Sequence, residues 1–263
     1  MAFGHPRRLP FVTFQVQELS RSPQFRHCVH QGSPDGDVSS IVAAIRGDGC
    51  GVRPSPRAVD AVVLFRQVTR AIGPDLVAKL WLAHRKEGRL DVRDPRAFAS
   101  FLAKQEIGRQ HPALADLARL DLAWFLAGLE DREPSIGTCC LPINLIEGHP
   151  ELMLRLQPSF RYLSLAYPVH EWVVGAGGLP GEPADRPAHL RISPDHSIEG
   201  ADIRCEMLSP ARFAFESAIA RGRTLVAATK MAVAHDPMFS GLKALAALID
   251  EGAIADVILH AKP

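Results

Sequence analysis

The stretch that most constrains this chain is its last third, residues 151–263. There, short strand-like segments give way to three amphipathic helices and a closing apolar run. The candidate strands read MLRLQP, FRYLSLAY, AHLRIS and ADIRCEML. In the last of them Ala201, Ile203, Cys205 and Met207 alternate with Asp202, Arg204 and Glu206. A period of two is the pattern of a half-buried strand with one wet face, and it pins the pairing register.

Helix signals follow in order. Ser209 stands at an N-cap position, Pro210 in the first turn, and Arg221-Gly222 at the end of SPARFAFESAIARG, so that segment reads as a capped helix. Thr224 opens a second helix, LVAATKMAVAHD, which Pro237 ends. Residues 238–252 predict a third, with Phe239, Leu242, Leu245, Ala246 and Ile249 on one stripe and Gly252 as its C-terminal stop. IADVILHA predicts a terminal strand. A small antiparallel sheet followed by three helices is the order of a winged-helix-type module.

Such modules grip either a nucleic-acid groove or a peptide, and charge separates the two. A DNA reader draws most of its affinity from Lys and Arg set against phosphates. Here the third helix offers only Lys243 against Asp250 and Glu251, and the surrounding charges are balanced. The pattern disfavours nucleic acid, and a winged-helix DNA-binding transcriptional regulator is the alternative reading.

Upstream the pattern is helical. VSSIVAAIRG, AVDAVVLFRQVTRAI, PDLVAKLWLAHRKEG, DPRAFASFLAKQE and HPALADLARLDLAWFLAGLED succeed one another, punctuated by Pro and Gly. The last puts Leu117, Leu120, Trp124 and Phe125 along one stripe, read as core. The expected organisation is an N-terminal arm over 1–36, a helical domain over 37–135, and a winged-helix-like peptide-binding domain over 141–263. DREPSIGTCC is the expected boundary, and GAGGLPGEPADRP reads as a long hairpin loop. The fold class is thus α+β.

The chain of 263 residues is 47% apolar with a net charge of +1, the profile of an ordinary globular protein. No apolar run approaches the ~20 residues of a transmembrane helix, and the start MAFGHPRRLP is no secretory leader. A cytoplasmic protein without a membrane partner is expected. Five cysteines without a CxxC pair argue against a disulfide framework.

Chemistry-bearing motifs are scarce. GxSxG, GxxxxGK[ST], HExxH and GxGxxG are all absent. Cys139-Cys140 with His149 nearby makes a poor zinc set, because adjacent cysteines chelate one tetrahedral ion badly. The eleven histidines are scattered, without the i, i+3 carboxylate pairing of a bundle iron site, and read as exposed or capping. Asp116, Asp121, Glu130 and Asp131 interleave with Arg119 and Arg132 and read as a solvated face. No catalytic residue, metal ligand or cofactor is assigned to this chain. It reads as a binding protein.

Three strings in order carry a resemblance over residues 65–260: HPALADLARLDLAWFLAG, MLRLQPSFRYLSLAYPVHEW, and LSPARFAFESAIARGRTLVAATKMA with LKALAALIDEGAIADV. They resemble a bacterial family long labelled a DNA-binding domain. Its better understood relatives are the MbnC-like, TglI-like and HvfC-like partner proteins of multinuclear non-heme iron-dependent oxidative enzymes. Residues 1–60 lack that family's usual opening helix and Tyr-Arg-Asn segment, which favours a dedicated biosynthetic partner of the TglI-like sort.

The resemblance implies a non-catalytic partner subunit. Such a subunit binds the leader of a ribosomally made precursor peptide and presents its cysteine to a TIM-barrel multinuclear iron oxidase, which holds the iron. It also implies a recognition element in which the leader adds a strand. On this chain the strand is Ala201, Asp202, Ile203, Arg204, Cys205, Glu206 and Met207, and the groove helix supplies Leu242, Leu245 and Ile249.

Overall fold

A computed structural model of the chain describes residues 58–87, 95–130, 133–135, 151–173, 179–195 and 202–258. The expected arm over 1–36, the helix at 38–47, Cys139-Cys140, His149 and Ala201 lie outside these residues. Among the described residues the protein is α+β, with ten helices and two small antiparallel sheets.

The helical part comprises α1 (Ala58–Leu64), α2 (Arg66–Ile72), α3 (Pro74–Glu87), α4 (Pro95–Lys104), α5 (Glu106–Gln110) and α6 (Ala113–Leu129). The sequence predicts one helix over 58–72. The structure breaks it at Phe65, whose ring is fully buried between Trp81 and Phe98. That break lets Asp121 of α6 reach the start of α2. Its carboxylate accepts hydrogen bonds from the backbone N–H groups of Gln67 and Val68, at 2.8 and 3.0 Å, filling the role a local N-cap would play.

α6 is buried nearly all round. Leu114, Leu117 and Leu120 are inaccessible, while Trp124 and Phe125 are only partly covered. Asp116 lies on the same helix. It accepts from the backbone N–H groups of Ala166 and Tyr167, at 2.7 and 3.0 Å, and pairs with Arg119. The solvated-face reading of Asp116 and Asp121 is therefore corrected: both are buried and hold separate segments onto α6. The periodicity of α6 alone gave no hint of this, because the backbone donors come from residues 50 or more positions away.

The second half contains β1 (Met153–Leu156), β2 (Arg161–Leu165), α7 (Val169–Val173), β3 (Ala188–Asp195), β4 (Asp202–Met207), α8 (Pro210–Ala220), α9 (Leu225–Val233), α10 (Gly241–Asp250) and β5 (Ile254–Ile258). The sequence anticipates these strands but not their grouping. β2, β3 and β4 form one antiparallel sheet in that order, whereas β1 pairs with β5 in another. The turn at Gln157 separates them: its N–H donates to Ala253 and its carbonyl accepts from Phe160. Helix α7, which the sequence reading does not anticipate, lies between β2 and the expected hairpin loop, with Val169 and Val173 in the core and Arg70 over the Trp172 ring at 5.2 Å.

Two apolar cores lie on opposite sides of the three-stranded sheet. Leu165, Ala188, Leu190 and Ile192 join the helical core, with Leu163, Ile203 and Cys205 packed against it. The other core unites β1, β5 and α8 to α10 through Leu154, Phe215, Ile219, Leu245, Leu248 and Ile254. The sheet is thus a middle layer, and its second face meets α8 rather than water.

The local signals for α8 to α10 hold. Ser209, Thr224 and Ser240 each accept a hydrogen bond from the backbone N–H three residues on. Gly222 and Gly252 adopt φ of 72° and 65° just beyond α8 and α10, the left-handed stop that glycine adopts without steric cost. One expectation about α10 is overturned. Its buried face is Gly241, Leu245, Leu248 and Ile249, whereas Leu242 and Ala246 face outward. In this rotation Gly241 lies against Thr229 of α9, where a Cβ would overlap the hydroxyl.

Candidate functional site

Among the described residues β4 has a single neighbouring strand. It pairs with β3 from Leu190↔Met207 to Asp195↔Asp202, and among the described residues no strand lies on its other side. The ladder fixes which backbone groups face that free edge. The N–H of Leu208 donates to the carbonyl of His189 at 2.8 Å, so residues 208 and 189 form a hydrogen-bonded pair. Alternation along an antiparallel ladder makes 206/191, 204/193 and 202/195 the next such pairs. Ile203, Cys205 and Met207 then direct their N–H and C=O groups away from β3, toward the open edge. Pro194 agrees with this register. It stands opposite Ile203, a position whose N–H is not needed by β4.

Side chains of β4 divide between two environments. Ile203 and Cys205 pack against the helical core, and Met207, on the same face, is 53% exposed at the strand end. Burial pushes the Cys205 thiol up to about 12, with Glu206 adding to the effect, so it behaves as a small apolar group at neutral pH. The expected wet face is corrected. Arg204 is half-buried, and Glu206 enters a charge cluster under α8.

That cluster is the feature the sequence did not disclose. Arg191, in the middle of β3 and 2% exposed, contacts Glu206 of β4, Glu216 of α8 at 3.3 Å, and Glu251 just past α10. Arg212 of α8 reaches the same three carboxylates, at 3.1 Å, 2.6 Å and 3.2 Å in that order. Burial works against the Arg191 charge, but Glu216, Glu251 and Glu206 together raise its affinity for the proton. Burial likewise opposes ionisation of Glu251, yet Arg191 and Arg212 hold its carboxyl below the usual range. Tyr162 lies on the same face. Burial, reinforced by Glu216, holds its phenol well above the ordinary value. Next to this group His189 stacks on Phe213, with ring centroids 4.3 Å apart.

The cluster ties β3, β4, α8 and the end of α10 into one unit, which fixes the orientation of the β4 edge. The sequence cues were Arg191, a cation in the middle of the strand-like run AHLRIS, and the i, i+4 spacing of Arg212 and Glu216.

The remaining expected groove residues separate. Leu242 is 41% exposed on the outer face of α10, whereas Leu245 and Ile249 fill the second core with Phe215 and Leu248. Lys243 and Asp250 share the outer surface with Leu242. The side chain of Asp202 and all of Ala201 lie outside the described side chains. Among the described residues no three His, Cys, Asp or Glu side chains gather as a metal site, and no helix is long and apolar enough to cross a membrane.

No protein-family model matches the sequence, and no curated protein matches it.

Proposed function

We propose that this chain is a non-catalytic partner subunit that captures the leader of a ribosomally made precursor peptide as an added strand on β4. It then presents the peptide's cysteine to a TIM-barrel multinuclear iron oxidase in a heteromeric complex. The observation that carries the reading is the open edge of β4, where Ile203, Cys205 and Met207 offer three donors and three acceptors in the alternation an incoming strand needs. The rigid charge cluster behind β4 supports it, because an edge held in place costs little ordering on binding. The resemblance of the α6, β1–α7 and α8–β5 segments to partner proteins of iron oxidases supplies the class of peptide and enzyme.

The structure-based choice of test residue is Met207. A proline there removes an outward N–H and leaves the β3–β4 ladder bonds intact. Met207→Pro, shown by circular dichroism to fold like the parent, is expected to weaken leader binding in calorimetry by about tenfold, the scale of one lost hydrogen bond and an edge bend. A folded Met207→Pro protein that binds the leader as tightly as the parent refutes docking on β4.

A further inference from the structure

The edge of β4 that no strand occupies among the described residues is complementary to itself. Placed antiparallel to a second copy about a two-fold axis through Cys205, the strand DIRCEM sets Cys205 opposite Cys205, Ile203 opposite Met207, and Arg204 opposite Glu206. In this register the residues meeting as hydrogen-bonded pairs are 203, 205 and 207, the three whose backbone groups face outward. Three pairs exchanging two bonds each give about six inter-chain backbone hydrogen bonds. The charges agree with the backbone. Each Arg204 guanidinium, half-exposed and 3.8 Å from its own Glu206, meets the Glu206 carboxylate of the other copy, twice per two-fold assembly. A parallel arrangement, or a slip of two residues that sets Arg204 against Arg204, brings like charges together and is disfavoured. Met207, exposed in the single chain, covers Ile203 of the other copy.

We infer that a second copy of this chain pairs with β4 edge to edge, joining two three-stranded sheets into one six-stranded antiparallel sheet. Charges at sheet edges commonly block such pairing; here Arg204 and Glu206, two residues apart on one face and of opposite sign, instead select it and fix its register. The inference rests on the edge geometry alone and needs no peptide ligand. A leader strand and a second copy would exclude one another on the same backbone groups.

The experiment uses the full chain without added peptide. Sedimentation velocity over a roughly hundredfold range of concentration is expected to show a monomer passing to a dimer. Arg204→Glu replaces two attractive contacts per dimer by two repulsive ones and is expected to move the midpoint to at least about tenfold higher concentration. Lys243→Glu, on the outer face of α10, is expected to leave it unchanged. Amide exchange on the parent protein gives a readout that depends on no variant. The amides of Ile203, Cys205 and Met207 should slow as concentration rises, while those of Arg204 and Glu206, bonded to β3, stay protected throughout. A chain that remains monomeric, or a dimer in which those three amides do not slow, overturns the inference.

Discussion

Arg191 offers the strongest test of how this fold is held together. Replacing it by Met keeps the length and apolar volume of the stem but removes the guanidinium that faces Glu206, Glu216 and Glu251. Glu216 is fully buried, so Arg212 is left as its compensating cation, and Glu206 and Glu251 lose one of the two arginines they share. Breaking a buried ion pair from one side costs about 3–5 kcal/mol, because a charge stays behind without compensation. The surviving Arg212 contacts place the expected loss near the lower end, about 3 kcal/mol. That is a large part of the 5–15 kcal/mol typical of a folded protein, and it lowers Tm by roughly 6–12 °C at this chain length.

Urea unfolding followed by far-ultraviolet circular dichroism measures the loss. Tryptophan fluorescence supplies a second probe, since Trp81, Trp124 and Trp172 all belong to the helical side of the sheet. The double variant Arg191→Met with Glu216→Leu removes the stranded carboxylate as well. It is expected to regain more than about 1 kcal/mol relative to the sum of the single changes, because the paired groups are coupled. A loss below about 1 kcal/mol for Arg191→Met, or strict additivity in the double variant, refutes the claim that the cluster is a coupled buried unit.

Two further outcomes follow from the same structure. Burial pushes the Asp121 carboxyl from 3.8 up to about 8, against the opposing pull of the Val68 and Gln67 N–H groups. A raised folded value favours the protonated folded state, so this group's contribution is fully present below about pH 4 and is lost as pH rises toward 8. Asp121→Asn, which keeps an acceptor oxygen, is expected to flatten the stability profile over that window, and an unchanged profile in pH-dependent unfolding refutes the assignment. Ser209→Ala removes the acceptor for the Arg212 N–H at the start of α8 and is expected to cost about 1 kcal/mol in the same assay; no measurable change would show that α8 is fixed by packing alone.

How much of this was legible in advance differs by range of interaction. The ends of α8, α9 and α10 were read from Ser209, Thr224, Gly222 and Gly252, because capping is settled within three or four residues of the chain. The alternation of Ile203, Cys205 and Met207 with Arg204 and Glu206 marked β4 as a strand for a similar reason, but not its partner or the covering of its polar face. The rotation of α10 was misjudged. Leu242 and Leu248 are equally apolar, and which of them turns inward depends on packing against distant segments, including the close approach of Gly241 to Thr229.

What tertiary structure alone decided is where polar groups end up. Asp116 and Asp121 sit among charged neighbours in sequence and look solvated, but each is buried against N–H groups supplied from remote segments. Arg191, Glu206, Arg212, Glu216 and Glu251 come from four places in the chain; only Arg212 and Glu216, four apart on α8, share a local spacing, so no period could announce that all five meet. The grouping of strands is of the same kind. β1 pairs with β5 rather than with β2, since strand pairing is a contest among distant partners won by whichever face completes a core. The sequence set the elements and their caps through short-range chemistry; the sheet order, the buried charges and the open edge of β4 emerged only when those elements packed, because burial is a property of neighbours in space.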